Sequence, residues 1–370
     1  MNIVFAGGGT AGHINPALAI AETFRSKNPH CNILFIGNRD SLEDKLVTKA
    51  GFDIKYIKVN GIRRSLSPEN VKTAYNFLRS VSDCKKIIRD FKADAVIGTG
   101  GYVSGPAVYA GHLVGAKCYI HEQNAYPGVT SKFLSRYADI AFLSFEGSEK
   151  HFSHAKKIVM TGNPLNENFL LAKRQESRKK LGIPEDAFYV LSFAGSLGAR
   201  EINKLFIDYI CKNAQNKDFV HTHATGSFGF RWMPDNIKER GIDLSESEHI
   251  HLLEYIYDMP DRLAASDLVI SRAGAITLGE IMALGKPAIL IPSPNVTHNH
   301  QFHNAMSLVD RDAAMIMEEK DASADKLYEM TLRLKNDAAL CKKLGENACA
   351  MAKLGASEKI YNSIYTELKK

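Results

Sequence analysis

The chain has 370 residues, too many for a single hydrophobic core, with 24% charged residues and a net charge of +6. Two ordinary globular domains are expected, and a disordered or fibrous chain is excluded. The modest positive charge suits an anionic substrate or an anionic membrane surface; no RNP, zinc-finger or basic-helix signature calls for nucleic acid. The six cysteines form no C-x-x-C pair and read as reduced thiols of a cytosolic protein. The first residues carry no basic, cleavable leader.

The first predicted element is an apolar strand, Asn2 to Ala6, which meets Gly7-Gly8-Gly9-Thr10-Ala11-Gly12-His13 and then a helix beginning Ile14-Asn15-Pro16. Glycines let the main chain turn tightly and let a phosphate approach it. The first helical amides favour an anion. His13 is the odd member, because a phosphate cradle needs no imidazole, and a proton acceptor here suggests chemistry. Gly7, Gly9 and Gly12 also fit G-x-G-x-x-G. The next strand, Asn32 to Gly37, is followed by Asn38 and Arg39, with Asp40 late for a ribose contact, so a nicotinamide enzyme fits poorly. No G-K-[ST] follows the glycines, which excludes a P-loop.

From Arg63 to Lys86 the chain predicts a basic amphipathic helix. Val71, Ala74, Tyr75, Leu78 and Val81 recur at helical spacing with Phe77 at the edge, among Arg63, Arg64, Lys72, Arg79, Lys85 and Lys86. Such a stripe either packs on a sheet or rests on anionic lipid. Ala95 to Ala116 has no Asp, Glu, Lys or Arg, but six glycines and Pro106 interrupt it. It reads as strand, glycine loop (Gly98 to Gly105) and a buried helix opening near Pro106, and the protein is expected to be soluble. The strand Lys117 to Ile120 is followed by the polar run His121-Glu122-Gln123-Asn124. Strands at Ile140–Leu143 and Ile158–Thr161 complete a first parallel sheet. A Lys/Arg/Glu-rich stretch to Ala187 then reads as a linker and a surface helix.

The theme restarts with the strand Tyr189 to Phe193, the turn Ala194-Gly195-Ser196-Leu197-Gly198-Ala199 and a helix from Glu201 to Cys211. Strands follow at Phe219–Thr222, Ile250–Leu253, Leu268–Ser271, Ala288–Ile291 and Ala314–Met317. Arg272-Ala273-Gly274-Ala275 opens a helix that carries Glu280, whose carboxylate can accept from both hydroxyls of a ribose. His298, His300 and His303 invite a metal, but they alternate with amides and lack nearby carboxylates. Asp310-Arg311-Asp312 reads as a solvated turn, so no metal and no cofactor are expected. These are two doubly wound α/β halves, whose ligands bind beyond the carboxyl ends of the strands, in a cleft between domains. The last helix, Ala356 to Leu368, is expected to cross back onto the first half.

Taken together, Gly7 to His13, Gly100-Gly101-Tyr102-Val103-Ser104-Gly105-Pro106, His121 to Asn124, Gly195-Ser196-Leu197-Gly198-Ala199 and Arg272 to Glu280 resemble the MurG family over nearly the whole chain. That family comprises the UDP-N-acetylglucosamine:N-acetylmuramyl-(pentapeptide) pyrophosphoryl-undecaprenol N-acetylglucosamine transferases of peptidoglycan synthesis. The resemblance implies a GT-B glycosyltransferase fold, two Rossmann-like doubly wound domains facing a cleft. It places an acceptor and membrane-associating domain at 1–163, with 354–370 packing back on it, and a UDP-sugar domain at 164–353. It implies inverting transfer to the 4-hydroxyl of the muramyl sugar of lipid I, giving lipid II, at the cytoplasmic face of the cell membrane. Other GT-B enzymes, a glycolipid glucosyltransferase or a UDP-N-acetylglucosamine epimerase, are the nearest alternatives.

By the same resemblance, His13 and Asn124 are the catalytic candidates, His13 as base. Thr10, Gly12, Asn124, Gly195, Ser196, Ala275, Ile276, Glu280 and Gln301 would bind UDP-N-acetylglucosamine, with the Ile256 main chain at the uracil. Gly9, His13, Gly101, Tyr102 and Ser104 would bind the acceptor diphosphate. Expected partners are UDP-N-acetylglucosamine, lipid I, the anionic membrane surface and other cell-wall synthesis proteins. The chain departs from the family in two places. Leu165 and Asn166 follow Gly162-Asn163-Pro164 where an arginine is usual, and Ala194 stands where glycine is usual.

Overall fold

The computed structural model describes residues 1–59, 69–165, 168–195 and 198–369, without the side chains of 69–74, 168 and 246. The chain divides into two compact units, Met1–Leu165 with Lys353–Lys370, and Asn166–Ala352.

The first unit is a parallel sheet of seven strands: β1 (Asn2–Gly7), β2 (Asn32–Gly37), β3 (Asp53–Tyr56), β4 (Ala95–Gly100), β5 (Lys117–Glu122), β6 (Ile140–Leu143) and β7 (Ile158–Met160), in the order β3-β2-β1-β4-β5-β6-β7. The continuous apolar runs follow from cover on both faces. Ile3, Phe5, Phe35, Ile97 and Phe142 face the helices Ala11–Lys27 and Ala356–Leu368. Val4, Ala6, Ile36, Val96 and Ile120 face Glu69–Asp90 and Gly101–Val114. The last helix is held by the Phe24 and Tyr361 rings, 4.8 Å apart, and by the Lys27–Glu358 ion pair. Its buried Ile360 and Ile364 each contribute about 1.5–3 kcal/mol by leaving water.

The second unit repeats the plan with β8 (Tyr189–Phe193), β9 (Val220–Ala224), β10 (Ile250–Leu253), β11 (Leu268–Ser271), β12 (Ala288–Leu290) and β13 (Met315–Ile316), in the order β10-β9-β8-β11-β12-β13. The order in which strands are added reverses once in each sheet, between β1 and β4 and between β8 and β11. Ligands bind at such switch points, outside the carboxyl ends of the strands. The three glycine-rich turns seen in the sequence leave β1, β4 and β8, and Arg272-Ala273-Gly274 leaves β11.

Several expected boundaries move. The helix after β4 opens at Gly101, not near Pro106, because Gly100 (φ 106°) and Gly101 (φ 78°) complete the turn and proline is carried in the second turn. β5 runs on through Glu122. The helix after β8 spans Arg200–Asn216, five residues past Cys211. Edge strand β3 had no sequence signal, because Asp53, Lys55 and Tyr56 are exposed. The expected surface helix is Arg174–Leu181, yet its Arg178 is 2% exposed. That guanidinium donates to the carbonyls of Pro184, Glu185, Ala187 and Ala265 and pairs with Asp267.

The basic amphipathic helix is Glu69–Asp90, and its stripe divides. Val81, Cys84 and Ile88 are buried in the core with half-buried Phe77 packed against them, whereas Tyr75 and Leu78 are 64% and 66% exposed. Arg63 and Arg64, and the side chains of Val71, Lys72 and Ala74, lie outside the described residues.

Candidate active site

At the first switch point, the turns after β1 and β4 are packed against each other. A Cβ on Gly101 would lie 2.1 Å from the Gly8 carbonyl oxygen, and one on Gly7 2.1 Å from Thr99 Oγ1. Thr99 Oγ1 donates to the His13 carbonyl at 2.7 Å, and the Gly8 amide donates to the Gly100 carbonyl at 3.3 Å. Thr10 is the N-cap of Ala11–Lys27 in extended conformation, and its hydroxyl does not cap the helix.

His13 lies in the first turn of that helix, its ring in the space left by Gly100, where a Cβ would be 2.7 Å from His13 Cδ2. Its Nδ1 is 3.0 Å from the Gly8 carbonyl oxygen and 3.2 Å from Thr10 Oγ1. The carbonyl can only accept, so Nδ1 carries the hydrogen. The neutral ring then keeps its lone pair on Nε2, the form that can take a proton.

Ser104, expected at the diphosphate, is instead fully buried. Its hydroxyl lies 2.6 and 2.7 Å from the carbonyls of Ala6 and Gly100 and accepts from the Gly100 amide at 2.9 Å. It shapes the turn from within. Tyr102 remains half-buried beside Gly9, and its hydroxyl donates to Glu43 at 3.2 Å. Burial, then the Glu43 charge, raises that phenol above its ordinary value. Glu43 was not singled out from sequence. Nothing local in the sequence marks it as buried.

The run His121 to Asn124 ends β5 beside β4. His121, Glu122 and Gln123 are buried and bind one another's surroundings. Gln123 Nε2 donates to the Thr99 carbonyl (2.8 Å), tying this strand end to the β4 turn. Glu122 accepts from the Asn124 amide (3.0 Å), from Asn124 Nδ2 (2.9 Å) and from the Gly128 amide (3.2 Å), and so fixes Asn124. His121 Nε2 is 3.1 Å from the Gly162 carbonyl, and burial lowers its pKa to about 4, so it stays neutral. Asn163 accepts from Ser144 Oγ and donates to the Gln123 carbonyl. Gly162-Asn163-Pro164 is thus part of the wiring of the β5 and β6 ends. Asn166 lies outside the described residues.

At the second switch point, β8 leads through Ala194 and Gly195 (φ 86°) to Gly198 (φ 75°), where a Cβ would lie 1.9 Å from the Thr225 carbonyl oxygen. Ser196 lies outside the described residues. β11 leads through Arg272 to the helix Ala275–Ala283, which opens at Gly274 without a side-chain cap. Arg272 braces this turn, donating to the Ile291 carbonyl and pairing with Glu319. Ala275 and Ile276 form the first turn, and half-buried Glu280 lies in the second. Among the described residues no hydrogen bond or ion pair reaches the Glu280 carboxylate, and desolvation pushes its pKa up to about 8.

Gln301 Oε1 accepts from the Ser293 amide at 2.8 Å beyond β12, which leaves its amide nitrogen without a partner among the described residues. Two consecutive left-handed residues, His298 (φ 53°) and Asn299 (φ 51°), set up its helix His300–Val309, a strained connection typical of functional loops. Ile256 lies beyond β10 with its side chain buried. Its main-chain N–H and C=O find no hydrogen bond among the described residues. The rings of Tyr255 and Tyr257 flank it, 4.8 Å apart.

Gly9, Thr10, Gly12, His13, Gly101, Tyr102 and Asn124 are therefore gathered at the strand ends of the first unit. Gly195, Ala275, Ile276, Glu280, Gln301 and Ile256 are gathered at those of the second. Among the described residues no group of three His, Cys, Asp or Glu could hold a metal ion. Asp310-Arg311-Asp312 is exposed, and Asp312 pairs with Lys343 at 2.8 Å.

Residues 3–143 match the glycosyltransferase family 28 N-terminal domain, and residues 189–360 match the family 28 C-terminal domain. The chain is 42% identical over 369 residues to the UDP-N-acetylglucosamine--N-acetylmuramyl-(pentapeptide) pyrophosphoryl-undecaprenol N-acetylglucosamine transferase of Acetivibrio thermocellus, covering 100% of this chain and 99% of that one. It is 40% identical over 370 residues to transferase 1 of the same name from Bacillus cereus, covering 100% of both. Among solved structures it is similar to MurG of Acinetobacter baumannii, with a TM-score of 0.80, 26% identity and 99% of each chain covered. A UDP-GlcNAc 2-epimerase from Neisseria meningitidis shares the fold at a TM-score of 0.69 with 15% identity, covering 99% of this chain and 100% of that one. Its two matched domains and its full-length relatives place the chain in glycosyltransferase family 28, among the MurG transferases.

Proposed function

We infer that this chain transfers N-acetylglucosamine from UDP-N-acetylglucosamine to undecaprenyl-pyrophosphoryl-N-acetylmuramyl-pentapeptide. The observation that carries this is full-length kinship at about 40% identity with transferases of that activity, alongside a glycine-rich switch point in each unit. The first unit takes the lipid diphosphate beside Gly9, whose own amide is held by Glu43, and beside Gly101 and Tyr102, with Thr10, Gly12 and Asn124 nearby. The second takes the UDP-sugar. Glu280 accepts from the ribose hydroxyls, the Ile256 main chain meets the uracil edge, and Gln301 Nε2 donates to the sugar. Gly195, Ser196, Ala275 and Ile276 surround the diphosphate, where a helix N-terminus favours the charge that grows as UDP leaves.

His13 Nε2 takes the proton of the muramyl 4-hydroxyl as that oxygen forms the new bond to the anomeric carbon and the bond to UDP breaks. A single displacement of this kind inverts the anomeric centre. The tautomer fixed by the Gly8 carbonyl supports this role.

The lipid acceptor is met at an anionic membrane surface, at the cytoplasmic face, through exposed apolar side chains on three neighbouring helices of the first unit. These are Tyr75 and Leu78 on Glu69–Asp90, Leu113 on Gly101–Val114, and Val129 and Phe133 on Val129–Leu134. Phe77 and Thr130 both approach Gly105, so the three helices are neighbours. No described helix is long and apolar enough to cross a membrane.

The test is transfer of labelled N-acetylglucosamine to a short-chain analogue of the lipid acceptor, with the new linkage read by NMR. A β-linked disaccharide is expected. An α-linkage would reject the single displacement, and release of the label without acceptor would reject the transferase assignment.

A further inference from the structure

Glu43 is 1% exposed, and among the described residues no cation pairs with it. A buried carboxylate without a counter-charge is costly unless hydrogen bonds satisfy it. Here three donors from three strand ends do so. The amide of Gly9, after β1, donates to Oε2 at 3.2 Å. The amide of Asn38, after β2, donates to Oε1 at 3.3 Å. The phenol of Tyr102, after β4, donates to Oε1 at 3.2 Å. Ser41 caps the helix Leu42–Lys49, whose Asp44 amide donates to Ser41 Oγ at 3.3 Å. That cap sets Glu43 in the first turn, where the helix field favours a negative charge.

The neighbouring glycines are cut to fit this side chain. A Cβ on Gly8 would lie 3.0 Å from the Glu43 carboxylate carbon, and one on Gly37 would lie 2.9 Å from its Cγ. A Cβ on Gly9 would lie 2.9 Å from the ring of Tyr102, so that ring lies over the same turn. Gly8 has no left-handed φ to explain it; it is glycine because the carboxylate and Val103 occupy the space.

We propose that Glu43 is the positioning residue of the acceptor side, an anion built into the protein that holds the Gly7–Gly9 turn and the Tyr102 ring in the register the lipid diphosphate needs. It occupies the Gly9 amide, so the diphosphate is received by the amides that follow, at the start of Ala11–Lys27. It also takes the Tyr102 hydrogen, so Tyr102 meets the ligand by its ring and oxygen lone pairs and does not donate to it. This rests on the placement of the acceptor in the first unit.

The test uses the full chain, a short-chain lipid-linked muramyl diphosphate and UDP-N-acetylglucosamine, with separate KM values for each. In Glu43→Gln, the acceptor KM should rise about tenfold, the scale of one charge-assisted hydrogen bond, with kcat, donor KM and thermal melting nearly unchanged. Glu43→Ala should be worse, with Glu43→Gln as its partial rescue. Tyr102→Phe should raise the acceptor KM in the parent chain and add nothing in the Glu43→Gln background, because the hydroxyl acts through Glu43. If Glu43→Ala does not fold, Glu43→Gln and Tyr102→Phe still decide. An unchanged acceptor KM in Glu43→Gln, or effects that multiply in the double variant, would overturn the proposal. A change confined to the donor KM would instead overturn the placement of the acceptor.

Discussion

The two switch points are built on one plan and finished differently. In the first unit the protein fills its own polar groups: Ser104, Thr99, Gln123 and Glu43 satisfy the main chain of the β1 and β4 turns. In the second unit the Glu280 carboxylate, one end of Gln301 and the Ile256 main chain are left without partners among the described residues. A pre-wired turn holds one geometry and presents a chosen atom, here His13 Nε2. An unfilled set of donors and acceptors is completed by the ligand, and so it discriminates between ligands. The first arrangement fits a site that times a proton transfer; the second fits one that recognises a nucleotide.

The largest effect should come from the atom the first unit presents. His13→Ala should lower turnover by about 10²–10⁴ at saturating acceptor, with the fold intact by circular dichroism. Turnover near that of the parent would mean that His13 only binds.

The contrast in packing can be tested with two glycines of positive φ. Gly101→Ala places a methyl 2.1 Å from the Gly8 carbonyl oxygen, whereas among the described residues nothing lies within 4 Å of a Cβ at Gly195. Gly101→Ala should therefore cost overpacking and backbone strain together, about 2–6 kcal/mol in chemical denaturation. Gly195→Ala should cost only the strain, about 1–2 kcal/mol. Equal losses would show that the first switch point is no tighter than the second.

The units should also differ in acid. The second unit buries His221 and His223 around Ser192 Oγ, which is 2.7 Å from a nitrogen of each, while the first buries His121. Burial lowers His223 to about 3 and His221 well below its ordinary value. The unfolded chain takes up protons near pH 6.5 and the folded chain does not, so stability is lost as pH falls below about 6.5. Each of the pair should cost about 1.4 kcal/mol by about pH 5.5. His223→Gln, which keeps hydrogen-bonding capacity without a proton to gain, should flatten the acid slope of thermal melting. An unchanged slope would remove His223 from the account.

Nucleotide recognition should show in equilibrium binding. Glu280→Ala should weaken UDP binding by about tenfold to a hundredfold and leave acceptor binding alone. On the proposed assignment the ribose hydroxyls donate to the ionised carboxylate. With the carboxyl near pH 8, the affinity of the parent should fall about fivefold between about pH 8 and pH 7, and Glu280→Gln should abolish that slope. Calorimetry across this range would detect a flat parent profile and refute the assignment.

The smallest effect concerns the membrane face. Tyr75→Ser with Leu78→Ser should reduce co-sedimentation with anionic vesicles by about tenfold, and added salt should weaken the parent in the same direction. Equal binding to neutral vesicles would show that the cations play no part.

The sequence alone determined the fold class, the positions of most strands along the chain and where the candidate loops leave them. Unbroken apolar strands require cover on both faces, and runs such as Gly7–Gly9 and Gly100–Gly101 mark turns that few other residues can make. Gly9, Thr10, Gly12, His13, Gly101, Tyr102, Gly195, Ala275 and Ile276 were legible because each is tied to a turn that leaves a strand at a switch point, and Asn124 because it closes a polar run beyond an apolar strand; Ile256 and Gln301 rested on the family resemblance. What the tertiary structure decided is which polar group each residue meets. Glu43 finds Tyr102 across 59 residues, and Ser104 finds Ala6 across 98. Ser104 therefore turns inward, and no local pattern marks Glu43 as buried. The stripe of Glu69–Asp90 divided for the same reason, because helical spacing tells which residues share a face but not which of two adjoining faces meets the sheet. Local pattern fixes conformation and the tendency to be buried; hydrogen-bond partnership is a property of distant segments brought together, and only their packing reveals it.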